Sequence, residues 1–161
     1  MEFMIISRTP EQKADLAGSW ARSDEDFFAA GACHILAGVF LLTYPESGFS
    51  AIMVQPAKGS RGRHVIVANG SRVFDCRGRN DREDFLRRYA AACREIYPGW
   101  SCTLDEIADP LSWDFCTTHN HRHASQFFRD PLPRAKAFLL QFPPFPGFQP
   151  SHLPTRQKSH T

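Results

Sequence analysis

Charge of one sign is scarce in this chain: 19 Lys and Arg stand against 17 Asp and Glu, a formal net charge of +2 over 161 residues. That balance gives no reason to expect nucleic acid as a partner, and any basic patch has to be local. A disulfide framework is also missing. The five cysteines, at 33, 76, 93, 102 and 116, are odd in number and irregularly spaced, as expected of thiols in a reducing compartment. The start, Met1-Glu2-Phe3-Met4-Ile5-Ile6, lacks a basic stretch followed by an apolar core and a small-residue cleavage site. No secretory signal is therefore read there, and a cytoplasmic location is expected. Internal repeats and heptads are absent too. The glycine-bearing stretch Lys58-Gly59-Ser60-Arg61-Gly62-Arg63 has neither P-loop spacing nor a following helix, so it reads as a hairpin connection and not a phosphate cradle.

Long apolar runs are limited to one. Residues 27–44 contain no Asp, Glu, Lys or Arg, just about the length at which a spanning helix becomes possible. His34 and the small residues Ala29, Ala30, Gly31, Ala32, Ala37 and Gly38 interrupt it, and a break near Gly31 leaves a buried core helix, with no membrane association expected. With 42% hydrophobic residues, the chain fits one α+β domain over 1–150, followed by a polar, disordered tail over 151–161.

Thr9-Pro10-Glu11-Gln12 reads as a helix start, with the helix ending near Gly18. The acidic Ser23-Asp24-Glu25-Asp26 leads into the apolar segment as a short helical turn or loop. Phe49 to Val54 has strand composition. The segments from His64 to Ala68 and from Arg72 to Cys76 flank Asn69-Gly70, the strongest hairpin signal in the chain. Asn80-Asp81-Arg82-Glu83 resembles a capping box, and Phe85, Leu86, Tyr89, Ala92, Cys93 and Ile96 share one helical face up to Pro98-Gly99. Beyond it, 101–107 reads as a strand or turn, 109–115 as a loop, and the stretch from Pro133 to Leu140 as a helix with Pro at its start. Phe142, Phe145 and Phe148 suggest an extended strap across the globule.

Three residues from these elements form a chemical set. A thiol attacks carbonyl carbon as the thiolate, which needs an imidazole nearby, and the imidazole needs a third group to fix its tautomer. Cys33 stands at the front of the apolar helix, His64 begins one strand and Asp75 ends the next. A two-residue turn at Asn69-Gly70 would pair Ala68 with Ser71 and set Asp75 directly opposite His64, within reach of its ring. On that reading His64, Ile66, Ala68, Val73 and Asp75 share one face, which the Cys33 helix must cover.

Gly-Ala-Cys-His-Ile-Leu-Ala at a helix start, then His-Val-Ile-Val, then Val-Phe-Asp-Cys-Arg-Gly resembles the papain-like, transglutaminase-like superfamily of Cys-His-Asp enzymes, in particular its small bacterial and phage members. The resemblance spans 31–78, with the helix over 81–97 fitting behind. It implies a papain-like core, a central Cys-bearing helix packed on a small antiparallel sheet, with Cys33 as nucleophile, His64 as general base and acid, and Asp75 as orienter. The superfamily holds peptidases, amidases, deamidases, transglutaminases and acyltransferases, so it implies a protein, peptide or small amide or acyl substrate without choosing among them, and no cofactor. Ala32 stands where relatives often carry a polar residue. No convincing Gln precedes Cys33, which leaves the oxyanion to backbone N–H groups such as that of Cys33.

Rival readings stay open. A catalytically inactive interaction module would also fit Ala32, the missing Gln and the Phe/Pro-rich tail. His34 is adjacent to Cys33, but helix neighbours do not face each other, so it is expected to pack or hydrogen-bond near the site. The stretch from Cys116 to His123 holds Cys and His at short spacing without the second paired cluster of a structural zinc site, and no metal is assigned to it.

Overall fold

The computed structural model describes residues 3–143. Its first helix opens on the capping box expected at Thr9: the hydroxyl accepts from the Gln12 N–H, the Gln12 side chain accepts from the Thr9 N–H, and Pro10 takes the first helical position. In place of one helix to Gly18 there are two, α1 (Pro10–Ala14) and α2 (Leu16–Trp20). Asp15 is the cause. Its backbone leaves the helical region (ψ 91°) and its carboxylate accepts from the Gly18 N–H, ending one helix and capping the next. Ser23 caps α3 (Asp24–Ala29) in the same way, so the acidic approach is helical.

Gly31, at φ +111°, breaks the apolar run where a side chain would be strained. The helix beyond it, α4 (Cys33–Thr43), has 11 residues. Its length of about 16 Å is roughly half the hydrocarbon thickness of a bilayer. Among the described residues no helix is long and apolar enough to cross a membrane.

Five antiparallel strands follow: β1 (Ser50–Pro56), β2 (His64–Ala68), β3 (Arg72–Asp75), β4 (Gly78–Asp81) and, after helix α5 (Arg82–Ile96), β5 (Cys102–Ile107). Their order is β4-β3-β2-β1-β5. Pairing with β1 resolves 102–107 as a strand. Sequence pattern missed β4, which forms because Gly78 (φ +86°) turns the chain straight back and pairs with Asp75. Asp81 caps α5 by accepting from the Asp84 N–H.

The β2–β3 register differs from the expected one. Ala68 pairs with Val73 and Val67 with Phe74. The Asn69 carbonyl side chain accepts from the N–H groups of Ser71 (2.9 Å) and Arg72 (2.7 Å), and its own N–H donates to the Arg72 carbonyl (3.0 Å). Asn69 therefore flanks a Gly70-Ser71 turn instead of occupying the turn itself. The slip is two residues, so every side chain keeps its face, but the continued register sets Asp75 across from Ile66 and diagonal to His64.

The sheet is covered on both sides, as the fully buried β2 requires. Helix α4 packs on Met53, Val65, Val67 and Phe74, together with Phe27, Phe28 and Phe138 from flanking helices. On the other face Phe85, Tyr89 and Cys93 of α5 pack on Ile52, Val54, Ile66, Ala68 and Val73. The face bearing His64 and Asp75 thus lies under α5, not under the Cys33 helix. Two further helices differ from expectation. Ser112 caps α6 (Trp113–Thr118) by accepting from the Phe115 N–H, where part of a loop was expected. Helix α7 (Pro131–Leu139) starts two residues before Pro133, because Asp130 caps it with Pro131 first. Arg134 of α7 ties it to the front of the chain, stacking on Phe27 (4.1 Å) and pairing with Asp24 (2.8 Å). Phe142 packs edge-on against Phe74 and Phe138. Phe145, Phe148 and the tail over 151–161 lie outside the described residues.

Gly38, in the middle of α4, has Leu111 against it: an added Cβ would lie 2.3 Å from the Leu111 Cγ. Helix propensity favours Gly38→Ala by about 1 kcal/mol, whereas overpacking of this kind costs roughly 1–3 kcal/mol. The expected outcome in urea unfolding is net destabilisation. Combined with Leu111→Ala, the pair should cost less than the sum of the single changes.

Candidate active site

Cys33 is the first residue of α4, and the residue before it, Ala32, offers no side-chain acceptor to the opening turn. The first N–H groups of a helix lack intrahelical partners and carry its positive end, so a thiolate here is favoured by the backbone itself. The thiol is buried, with 5% of the residue exposed.

His64 ends up beside the carboxylate predicted for it, although not by the predicted route. Its Nε2 lies 2.9 Å from Asp75 Oδ2. Diagonal neighbours in a hairpin are farther apart than opposed ones but within reach of a long side chain, and the bond uses the far ring nitrogen. Nε2–H is then the donor, which leaves Nδ1 as the nitrogen available to the thiol. The β2–β3 pairing ends at Val67 and Phe74, and beyond that point His64, from the α5 face, lines the same cleft as Cys33, from the α4 layer.

Burial pushes the Cys33 thiol up, but hydrogen bonding and charge from the His34 and His64 rings overcome it and bring the thiol down to about 5. For His64 burial acts downward, and Asp75 and Cys33 together raise it to about 9. Between these limits the favoured form is a thiolate–imidazolium pair. Cys76, Cys93 and Cys102 all move the other way, chiefly through burial. Asp75 is buried as well. Burial works against its charge, but His64 and Arg77 hold the carboxyl below its ordinary value.

Sequence pattern gave no hint of two supporting residues. Arg77 donates to Asp75 through Nη1 (2.6 Å) and through its backbone N–H (2.8 Å). Its guanidinium also reaches the Met4 carbonyl (3.0 Å) and lies over the Phe3 ring (4.8 Å). Tyr89 of α5 stacks on the His64 ring, with centroids 5.6 Å apart and planes 9° from parallel. The Tyr89 hydroxyl donates to the Gly62 carbonyl (2.7 Å), and Trp100 Nε1 donates to that of Arg61 (2.7 Å), so the loop leading into His64 is pinned. An apolar periodicity identified Tyr89 as core; only the tertiary arrangement shows which ring it supports.

His34 packs at the site as expected, its Nε2 2.7 Å from the Arg122 carbonyl. Its ring also favours the Cys33 thiolate. In the 116–123 stretch Cys116 is buried in the core, His123 stacks on Trp113 (3.8 Å) and caps a 3-10 turn at Ala124–Gln126. Burial holds His121 down to about 3. Among the described residues no three such side chains converge as metal ligands.

A cleft of about 700 Å³ opens onto Cys33 and His64. Its walls come from the N-terminal segment around Ile5 and Arg8, the Ser60 to Arg63 loop and the Asn120 to Arg122 loop. No protein-family model, curated protein or solved structure matches the chain.

The thiol's position predicts its reactivity. Alkylation by iodoacetamide, followed residue by residue with mass spectrometry, should titrate near pH 5 at Cys33 and well above neutrality at the exposed Cys102. His64→Ala should move the Cys33 midpoint upward, because the proton on the imidazole no longer stabilises the thiolate.

Proposed function

We propose that the protein is a papain-like cysteine hydrolase or acyltransferase that acts on amide, thioester or related acyl bonds through Cys33, His64 and Asp75. The observation that carries this reading is the buried His64–Asp75 bond together with a thiol at a helix N-terminus, Cys33 and His64 lining one cleft.

The chemistry follows from the charge states. The Cys33 thiolate adds to the acyl carbon, forming a C–S bond, and the carbonyl electrons move onto oxygen, where the Cys33 backbone N–H at the uncapped helix end is suited to receive them. The oxyanion collapses, the bond to the leaving group breaks, and the His64 imidazolium gives that group its proton. His64, now neutral, takes a proton from water or an acceptor nucleophile, which attacks the thioester. When that bond breaks, the thiolate and the imidazolium are restored. Asp75 keeps the ring in the tautomer and orientation both steps need, and Arg77 keeps Asp75 ionised and in place.

The direct test is mass spectrometry of the intact protein after mixing with an activated thioester. An acyl adduct on Cys33, absent in Cys33→Ala, is expected, while no adduct on the folded wild type would overturn the enzyme reading in favour of an interaction module. Turnover needs thiolate and imidazolium together, so it should rise with pH through about 5 and fall through about 9. Asp75→Asn should lower turnover roughly a hundredfold or more, because a neutral amide neither stabilises the imidazolium nor fixes its tautomer.

A further inference from the structure

The cleft at Cys33 has a charge pattern that the composition does not explain. Arg8, Lys13, Arg61, Arg63, Arg77 and Arg122 line it, and among the described residues no Asp or Glu does. In a chain with 19 cations and 17 anions this is segregation by the fold. Among the described residues, Arg77 is the one of these six whose charge is matched by a carboxylate, that of Asp75. The others named with hydrogen bonds use neutral acceptors: Arg8 the Ser19 hydroxyl (3.0 Å), Arg61 the Ser7 hydroxyl (2.6 Å), Arg63 the His119 carbonyl (2.7 Å) and Arg122 the Lys13 carbonyl (2.8 Å).

Arg8 and Arg122 are both tied to the segment that carries Cys33. Arg8 Nη2 packs so closely on Gly31 that an added Cβ would lie 2.6 Å from it, and Gly31 is only two residues before Cys33. Arg122 is held to the helix of Cys33 through the bond between its carbonyl and His34. Burial, and after it the charge of Arg122, makes the Arg8 proton easier to lose. Like charges brought together away from water are unfavourable until an anion joins them, and guanidinium groups match carboxylate and phosphate oxygens in pairs.

Resting on the thiol-enzyme reading above, we propose that the acyl group delivered to Cys33 carries an anionic oxygen group, a carboxylate or a phosphate, which docks on the Arg8 and Arg122 guanidinium groups of the cleft. The anion is bound and not transformed: it fixes the register of the substrate, so that the carbonyl reaches the thiolate.

Iodoacetate and iodoacetamide test this on the full chain, because they differ in charge but alkylate the same thiolate. The rate ratio of the two at Cys33, divided by the same ratio for free cysteine, cancels general thiol reactivity. At low salt it should favour iodoacetate at least tenfold and decline as salt is added. Arg8→Gln and Arg122→Gln should each reduce it at least threefold, and Arg8→Lys should restore part of it, with circular dichroism showing that each variant is folded. Glutarate and inorganic phosphate, added as competitors, separate the two anion classes: the better protector names the class. A ratio equal to that of free cysteine, with fast reaction by both reagents, overturns the anion site and leaves the thiol reading standing. A high ratio unmoved by the variants overturns the assignment to Arg8 and Arg122. Slow reaction by both reagents removes the thiol reading, and this proposal with it.

Discussion

A carboxylate with almost no contact to water stays ionised only where donors surround it, and Asp75 has three, from His64 Nε2, Arg77 Nη1 and the Arg77 backbone N–H. Desolvating a lone carboxylate costs several kcal/mol, so the segment around it has to arrive in one arrangement. The turn at Cys76-Arg77 closes β3 onto β4 and brings the Arg77 guanidinium back over Asp75. That guanidinium in turn holds the Met4 carbonyl and the Phe3 ring, so the N-terminal segment is drawn against the same corner. The pair sits under α5, where Tyr89 lies flat on His64.

From that corner the thiol acquires its character. A cysteine at the start of an apolar helix is ordinarily a small core residue, and burial alone would make Cys33 harder to ionise. What reverses the direction is a pair of imidazoles, that of His34 next to it on α4 and that of His64, which Asp75 has made more basic. Cys76 lies next to the same carboxylate and shifts oppositely, burial first and the Asp75 charge second. Neighbouring cysteines therefore differ because one faces a cation and the other an anion. Arg61 and Arg63 extend this corner outward, on the loop that Tyr89 and Trp100 hold by the Gly62 and Arg61 carbonyls.

Much of the fold was legible because its signals are local. The capping box at Thr9, the Asp81 cap, the break at Gly31 and the helix and strand compositions act within a few residues. The misses are also local in form and distant in cause. Asn69 next to Gly70 predicts a turn centred on the pair, yet the Asn69 side chain bonds Ser71 and Arg72 and moves the turn on by one residue. Strand β4 and the edge strand β5 lack an apolar alternation of their own; pairing with β3 and β1 makes them strands.

For the candidate site, the sequence by itself determined which side chains were available and that His64 and Asp75 share a sheet face, since a two-residue register shift leaves the period of a strand intact. It could not determine which helix covers that face. Helix α4 and helix α5 are both compatible with a sheet whose central strand is apolar on both sides, and only packing of the whole chain assigns one to each. The charge of the cleft was hidden for the same reason. Arg8, Arg61, Arg63 and Arg122 are scattered along a nearly neutral sequence, and chain folding alone gathers them in the cleft at one thiol, with no carboxylate lining it among the described residues.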